Sequence, residues 1–442
     1  QSYLLGDHIV TTFGRREDRV FTSQQLPIPN LADGFPDDSL LDEHKHFGRD
    51  KKWRSGETET KGVVARPFRS LGILQSDSRS GLAKVIADGV RGLGFHYNQS
   101  NSFRPADVAY NVYLGELANP RAETKEYGFS LNLFDNRFFM RLTHQETTQI
   151  DKRGGTGVLG TRAVSIDFQI PGQNQNFDLY ESATNWALQR NPALTLEQAQ
   201  AQAAKDIGFT QEHIAAFDGK SINDSSNSLS RGWELEMQFN PTRNWTMKVT
   251  GSQQEAIDSG VSVHIQRYID ERLLIWTTIR NPQGNLWWTT ADTGGIPSNY
   301  YFQNVRTPLD LAITTQGKKK PQTREYSFNL ITNYRLAGIA GDRKWLRNID
   351  VGGSWRWASM GAIGYLAGAP DSDGVVRSLD RNKPVYDQAQ SSIDLSLSYR
   401  TRLFKDRIGA RFQLNVRNVT EGGSLRGVAV NPNGQYWQYR II

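Results

Sequence analysis

The chain has 442 residues, room for two or three ordinary domains or one very large barrel. It contains no cysteine, which excludes disulfides and thiolate metal sites. Its mean hydropathy of -0.58 and the lack of any apolar run of about 18 residues exclude a transmembrane helix but leave a transmembrane barrel open, because a barrel strand hides its apolar residues at every second position. The net charge of +6 is modest for this length and spread among both signs, so no nucleic-acid partner is expected. The one basic cluster, Lys318–Lys320, reads as a solvated loop.

In chain order, period-two alternation predicts strands at Tyr3–Arg16, Lys61–Gln75, Gly81–Phe103, Lys125–Phe134, Arg137–Ile150, Ser230–Phe239 and Trp245–Ala256. Further strands are predicted at Arg324–Leu336, Ile349–Ser359, Ser391–Arg402, Arg407–Asn418 and Tyr436–Ile442. The clearest unit is Arg231–Ala256. Trp233, Leu235, Met237 and Phe239 alternate with Glu234, Glu236 and Gln238, a polar turn follows, and Trp245, Met247 and Val249 alternate with Thr246, Lys248 and Thr250. Successive side chains point to opposite faces of a strand, so each such segment has one apolar and one polar face, and its register is fixed.

Connections between these segments alternate in length. The short ones are Ser76–Ser80, Asp135–Asn136, Asn240–Asn244, Ala337–Asn348 and Leu403–Asp406. The long ones are Glu17–Thr60, Arg104–Thr124, Asp151–Leu229, Ile257–Thr323, Met360–Gln390 and Val419–Gln435. Short turns at one end and long loops at the other are the pattern of an outer-membrane barrel, with the short set periplasmic. A soluble β-sandwich would give the same alternation but not this asymmetry, nor aromatics near strand ends such as Trp233, Trp245, Tyr334, Trp345, Trp355, Trp357 and Tyr399.

Two long loops carry helix signals. Thr195 stands before Glu197 and Gln198 as an N-cap to an Ala-rich run, Gly208 breaks that run, and a second short helix starts near Thr210. Val261–Thr278 reads as an amphipathic helix presenting Ile265, Tyr268, Ile269 and Leu273. These helices are expected to cap the barrel mouth.

Motifs for chemistry are sparse. Asp371–Gly374 opens like a calcium loop but lacks the later ligands, and reads as a turn. His44 and His46 beside Glu43 read as a solvated loop, and no metal site is expected. Gly92–Phe95 lies within a strand-like segment and does not open a helix, so it is no dinucleotide fingerprint. Glu234 and Glu236 read as lumen-facing polar residues rather than a glycosidase pair. No catalytic residue, and no cofactor, is expected. The candidate ligand contacts are the aromatics of the longest loops, Trp287 and Trp288 in NLWWTT and Tyr300, Tyr301 and Phe302 in SNYYFQN. Flat rings among Asn, Gln and Gly suit sugar rings, planar chelates or aromatic ligands; the alternative is that they pack the loop.

Four stretches, in order, carry a resemblance to a known family. They are LLGDHIVTTFGRREDR, GLGFHYNQSNSFRP, NPRAETKEYGFSLNLFDNRFFMRLTHQET and ARFQLNVRNVTEG, with Asn119, Pro120, Glu126 and Gly128 the best matches. Together they resemble the C-terminal half of a TonB-dependent outer-membrane receptor. The resemblance implies an all-β fold, a transmembrane antiparallel barrel of about 22 strands of which residues 1–442 supply roughly the second half, with long extracellular loops carrying short helices. An N-terminal plug domain and a terminal strand are expected to lie outside this stretch, both ends of which read as cut. It further implies a protein of the outer membrane of a Gram-negative bacterium, not an enzyme, embedded in outer-membrane lipid. Its extracellular loops would bind a scarce solute (siderophore, cobalamin, haem or glycan) for import energised by a TonB-type protein acting through the N-terminal region. A passive porin-like barrel and a secreted β-rich carbohydrate-binding protein are the alternatives.

Overall fold

The computed structural model describes residues 2–6, 8–24, 31, 37, 39, 49–71, 81–169, 178–292, 295–320, 323–370, 376, 378–405, 407–420, 422–423 and 425–441. Twelve strands form one antiparallel sheet in which chain neighbours pair. They are β1 (Ser2–Leu4), β2 (Ile9–Gln24), β3 (Arg49–Ala65), β4 (Gly94–Phe103), β5 (Arg121–Leu133), β6 (Phe138–Arg153), β7 (Ser225–Thr242), β8 (Trp245–Ser259), β9 (Tyr326–Arg335), β10 (Ile349–Ala358), β13 (Gln390–Leu403) and β14 (Ile408–Val416). Two small hairpins stand apart from the sheet, β11 (Ala362–Ala367) with β12 (Leu379–Tyr386), and β15 (Leu425–Val430) with β16 (Tyr436–Ile441). Among the described residues no helix is long and apolar enough to cross a membrane.

The sheet turns period-two sequence into rows. Tyr97, Tyr127, His144, Trp233, Gln253 and Tyr326 stand opposite one another across β4 to β9. Toward the turns, Leu131, Met140, Met237, Val249, Leu330, Trp355 and Ile393 form another row on the same face. Toward the long loops, the face changes character within one row, to Gln99, Lys125, Glu146, Arg231 and Glu255. The opposite face is a polar ladder. Glu236 takes Arg141 at 2.7 Å and Lys248 at 2.9 Å, Gln145 donates to Glu234 at 3.0 Å, and Arg356 pairs with Asp394 at 2.7 Å. The carboxylates Glu234 and Glu236 thus belong to cross-strand networks, as their polar-face reading requires.

The apolar face is not a core. Leu395, Phe412 and Leu414 are 51%, 58% and 61% exposed, and Phe95, Tyr127, Trp233 and Trp355 are also exposed. The largest fully buried side chains, Trp276, Trp287, Tyr301, Phe168, Phe217 and Leu309 among them, all lie in the long connections. A β-sandwich would have reversed this distribution, burying the inner strand faces.

Several expectations need correcting. The segment Gly81–Phe103 is a helix, α1 (Gly81–Gly92), followed by β4. Leu82, Ile86 and Gly89 recur at helical rather than strand spacing. The connection from β3 to β4 therefore runs over residues 66–93 and is not short, while the Ser76–Ser80 turn lies outside the described residues. Tyr3–Arg16 holds two strands, split by a turn in which Leu5 and Gly6 take φ of 53° and 64°. The third strand runs over Arg49–Ala65 rather than Lys61–Gln75, because its middle, RSGETETK, is polar on both faces and gives no apolar signal. Tyr436–Ile442 is not a strand of the sheet; its described part pairs with β15 as a separate hairpin. The turn at Asp135–Asn136 is tight as expected, with Phe134, Asp135 and Asn136 all at positive φ.

Motif residues of the third stretch have local tasks. Asn119 Oδ1 accepts from Arg54 Nη1 at 2.9 Å, and the Pro120 carbonyl accepts from Arg104 N at 2.8 Å. At Gly128 a Cβ would lie 2.0 Å from the carbonyl oxygen of Leu142, so only glycine lets β5 and β6 approach there.

Candidate functional site

The long connections 104–120, 154–224 and 260–325 fold together at one end of the sheet. Their helices are α2 (Leu159–Asp167), α3 (Leu179–Arg190), α4 (Leu196–Asp206), α5 (Gln211–Ala215), α6 (Val263–Thr278), α7 (Pro297–Tyr301) and α8 (Thr307–Thr315). The capping sequence behaves as expected. Thr195 and Gln198 form a reciprocal capping box on α4, Gly208 takes φ of 82°, and Thr210 caps α5 through His213 N. One apolar cluster joins all three connections, from Val112 through Leu159, Phe168, Leu179 and Ile207 to Ile265, Ile269, Trp276 and Leu309.

Polar groups inside this loop module are matched. The Asp167 carboxylate, fully buried at the end of α2, accepts from Arg272 Nε at 2.9 Å and Nη2 at 2.5 Å, from Tyr268 OH at 2.7 Å and from Trp276 Nε1 at 2.9 Å. Tyr268, Arg272 and Trp276 are spaced by four on α6, so one helix face supplies every donor. Arg272 also stacks over Phe209, 4.4 Å from the ring centre. Burial and the adjacent carboxylate hold the Tyr268 hydroxyl well above its ordinary range. Asp224, nearly fully buried, accepts from His264 Nδ1 at 2.9 Å and from Ile265 N at 3.1 Å, capping the start of α6 from another connection. Asp292 accepts from Ser182 Oγ at 2.5 Å and Trp287 Nε1 at 2.8 Å. Tyr113 OH donates to Glu271 at 2.7 Å, tying the first connection to α6.

Of the five candidate aromatics, the structure gathers Trp288, Tyr301 and Phe302 into one cluster with Trp276. Trp288 lies parallel to Trp276 with centroids 6.1 Å apart, and Tyr301 and Phe302 stand 5.2 and 6.5 Å from Trp288. Their exposures divide them. Trp287 and Tyr301 are each 2% exposed and form part of the module core, whereas Trp288, Tyr300 and Phe302 are partly buried at its edge. Trp276 is absent from the sequence-based set, although its position four residues after Arg272 and eight after Tyr268 marks it on the inner face of α6.

Sequence reasoning also missed a cleft of about 700 Å³ where the module meets the tops of β4 to β6. Its lining includes Arg104, Arg121, Lys152 and Arg153, with Asp107 the single acidic residue. Arg153 holds the first connection in place, donating to the carbonyls of Asp107, Leu117 (2.8 Å) and Ala118 (3.0 Å). Arg104 and Arg121 are exposed. Such a cleft concentrates anions. Of the Lys318–Lys320 cluster, Lys320 lies against Lys152 at the edge of this cleft and pairs with Asp258 at 2.8 Å, and Lys319 pairs with Glu325 at 2.7 Å. The Asp371–Gly374 and His44–His46 motifs lie outside the described residues.

No family model and no curated protein matches the sequence. Solved structures do match in shape. The chain is similar to the ferric-catecholate import receptor Fiu from E. coli K12, at 14% identity and a TM-score of 0.44, over 98% of this chain and 40% of that one. It is similar to BauA, the ferric preacinetobactin receptor from Acinetobacter baumannii, at 9% identity and a TM-score of 0.45, over 99% of this chain and 39% of that one. It is similar to the ferripyoverdine receptor of the outer membrane of Pseudomonas aeruginosa, at 12% identity and a TM-score of 0.41, over 88% of this chain and 33% of that one. The chain thus spans between a third and two-fifths of the length of these receptors.

Proposed function

We propose that this chain forms part of the wall and the extracellular mouth of a Gram-negative outer-membrane receptor that captures a scarce solute for TonB-energised import. One observation carries the reading. The apolar strand face is open to its surroundings and bounded toward the long loops by a row of charges, while the large buried core among the described residues lies above it in the loops. On β9 the face runs from Tyr326 to Tyr334. Eight steps of about 3.4 Å span roughly 27 Å along the strand. At a tilt of about 40° that is a height of roughly 20 Å, close to the ~25 Å apolar band of outer-membrane barrels. The aromatic row Tyr97, Tyr127 and Trp233 then sits at the interface and the charged row at headgroup level.

The solute class this mouth favours is anionic, such as a negatively charged iron chelate. Arg104, Arg121 and Lys152 would supply the charge, and Trp288, Tyr300 and Phe302 the accessible rings. Trp287 and Tyr301 would act by shaping the module rather than by touching the solute. No bond is made or broken in this role, and import is driven by the energising partner acting through the rest of the receptor.

The test is tryptophan quenching of the purified full-length protein by a panel of iron chelates of differing charge. Saturable binding of anionic members that Arg104→Glu with Arg121→Glu weakens at least tenfold supports the reading. Binding indifferent to chelate charge and to these substitutions would sink it.

A further inference from the structure

We propose that α1 is an interfacial anchor that seats the periplasmic rim of the wall in the phospholipid leaflet. The proposal rests on the membrane reading above and adds to it a site that strand alternation does not contain.

The helix lies against the outside of the sheet. At Gly89 a Cβ would stand 3.2 Å from Leu133 Cδ2 and 4.0 Å from Leu131 Cδ1, and at Gly92 it would meet the carbonyl oxygen of Asn132 at 2.1 Å. Leu131 and Leu133 belong to the apolar face at the turn end of β5, so the glycines let α1 press onto that face and not onto the polar ladder. Leu82, Ile86 and Gly89 form one stripe at i, i+4 and i+7. Gly89 is where the stripe touches the wall. Leu82 and Ile86, at 75% and 59% exposed, are where it continues beyond the wall.

Continuity selects the occupant. The stripe extends the apolar surface that Leu131 and Leu133, with Met140 and Phe138 opposite them on β6, present at the turn end, where a leaflet boundary falls. Twelve residues give about 18 Å of helix, too short to cross about 30 Å of hydrocarbon. A short helix with an apolar stripe and a charged side lies in the plane of the interface. The charged side here carries Lys84, Asp88 and Arg91, with Arg91 paired to Asp88 at 2.9 Å. Two cations to one anion suit phosphate headgroups. The wall's depth would then be set by a helix on its rim as well as by its strands.

These 442 residues contain no cysteine, so the test needs only that any cysteine elsewhere in the full-length protein be replaced by serine. Single cysteines replacing Leu82, Ile86, Lys84 and, on the wall, Leu330 are labelled with an environment-sensitive fluorophore in the full-length protein, reconstituted in phosphatidylethanolamine–phosphatidylglycerol vesicles. Expected are blue-shifted emission at 82 and 86, quenched by nitroxide lipids and not by iodide, with position 84 quenched by iodide. Water-accessible probes at 82 and 86 beside a lipid-quenched probe at 330 overturn the anchor and leave the membrane reading standing. A water-accessible probe at 330 overturns the membrane reading itself. Probes at 82 and 86 shielded from both quenchers mean that protein covers the stripe, which also overturns the anchor.

Discussion

Replacing Arg272 by Met strips the buried Asp167 carboxylate of its counter-ion while leaving Tyr268 and Trp276 as donors. Breaking a buried pair from one side costs about 3–5 kcal/mol, since the remaining charge stays in a low-dielectric site. Loss of the stacking over Phe209 adds about 0.5–1 kcal/mol. Together, about 3.5–6 kcal/mol raises the open population of the loop module by at least about three hundredfold. The assay is hydrogen exchange or pulse proteolysis read separately on α2 to α8 and on the strands, where Arg272→Met should expose the former and spare the latter. Combining it with Asp167→Asn removes the orphaned charge and keeps an acceptor for Trp276, so the double variant should recover at least half of the loss. A loss below about 1 kcal/mol for Arg272→Met, or a double variant no better than the single one, would refute the account of this cluster as an electrostatic keystone of the module.

Burial pushes the Asp178 carboxyl up to about 6, although it caps α3 by accepting from Glu181 N at 2.8 Å. The folded state then holds a proton that the unfolded chain releases above its ordinary value near 3.8, so stability of α3 should fall as pH rises from about 4 to about 6; Asp178→Asn should flatten that dependence in exchange measurements. Leu330→Arg should cost about 2–4 kcal/mol in bilayers while the adjacent Asn329→Arg, on the polar face, is tolerated, as measured by folding titrations into vesicles. Trp287→Ala should cost about 3–5 kcal/mol and open the module to protease, whereas Trp288→Ala should leave it closed and change only solute binding.

Legibility in the sequence followed how far one face repeats. From β5 to β14 the central strands alternate cleanly, as in Tyr326 to Tyr334 and Trp233 to Phe239, and their registers are those that alternation requires. Where a strand rises out of the apolar band, as at RSGETETK in β3, both faces are polar and the signal ends before the strand does. The helix α1 is hard to tell from a strand in sequence because small residues, Ala83, Ala87 and Gly89, blur the distinction between the two periods. The capped helices α4 and α5 were legible from local chemistry alone. The site was harder to read. The pairing of Asp167 with Arg272, or the gathering of Arg104 with Lys152, joins residues far apart in the chain, and no local pattern announces it. Paired aromatics announced themselves, but whether a ring faces a solute or a core is decided by the other connections. Trp287 lies inward with its indole hydrogen on Asp292, a carboxylate that Ser182 of another connection also holds.

Because three connections share one interior, none of them can be exchanged alone. A graft that moved residues 260–325 onto another sheet would bring Trp276 and Arg272 without Asp167, and Ile265 without the Asp224 cap. A lineage that diversifies these loops by recombination would therefore have to trade all three connections together, or keep the contacts among them fixed while the rims vary. The same interlock makes residues 104–120, the smallest of the three, an unsafe place for an epitope tag, since Tyr110 and Tyr113 stitch it to its two neighbours.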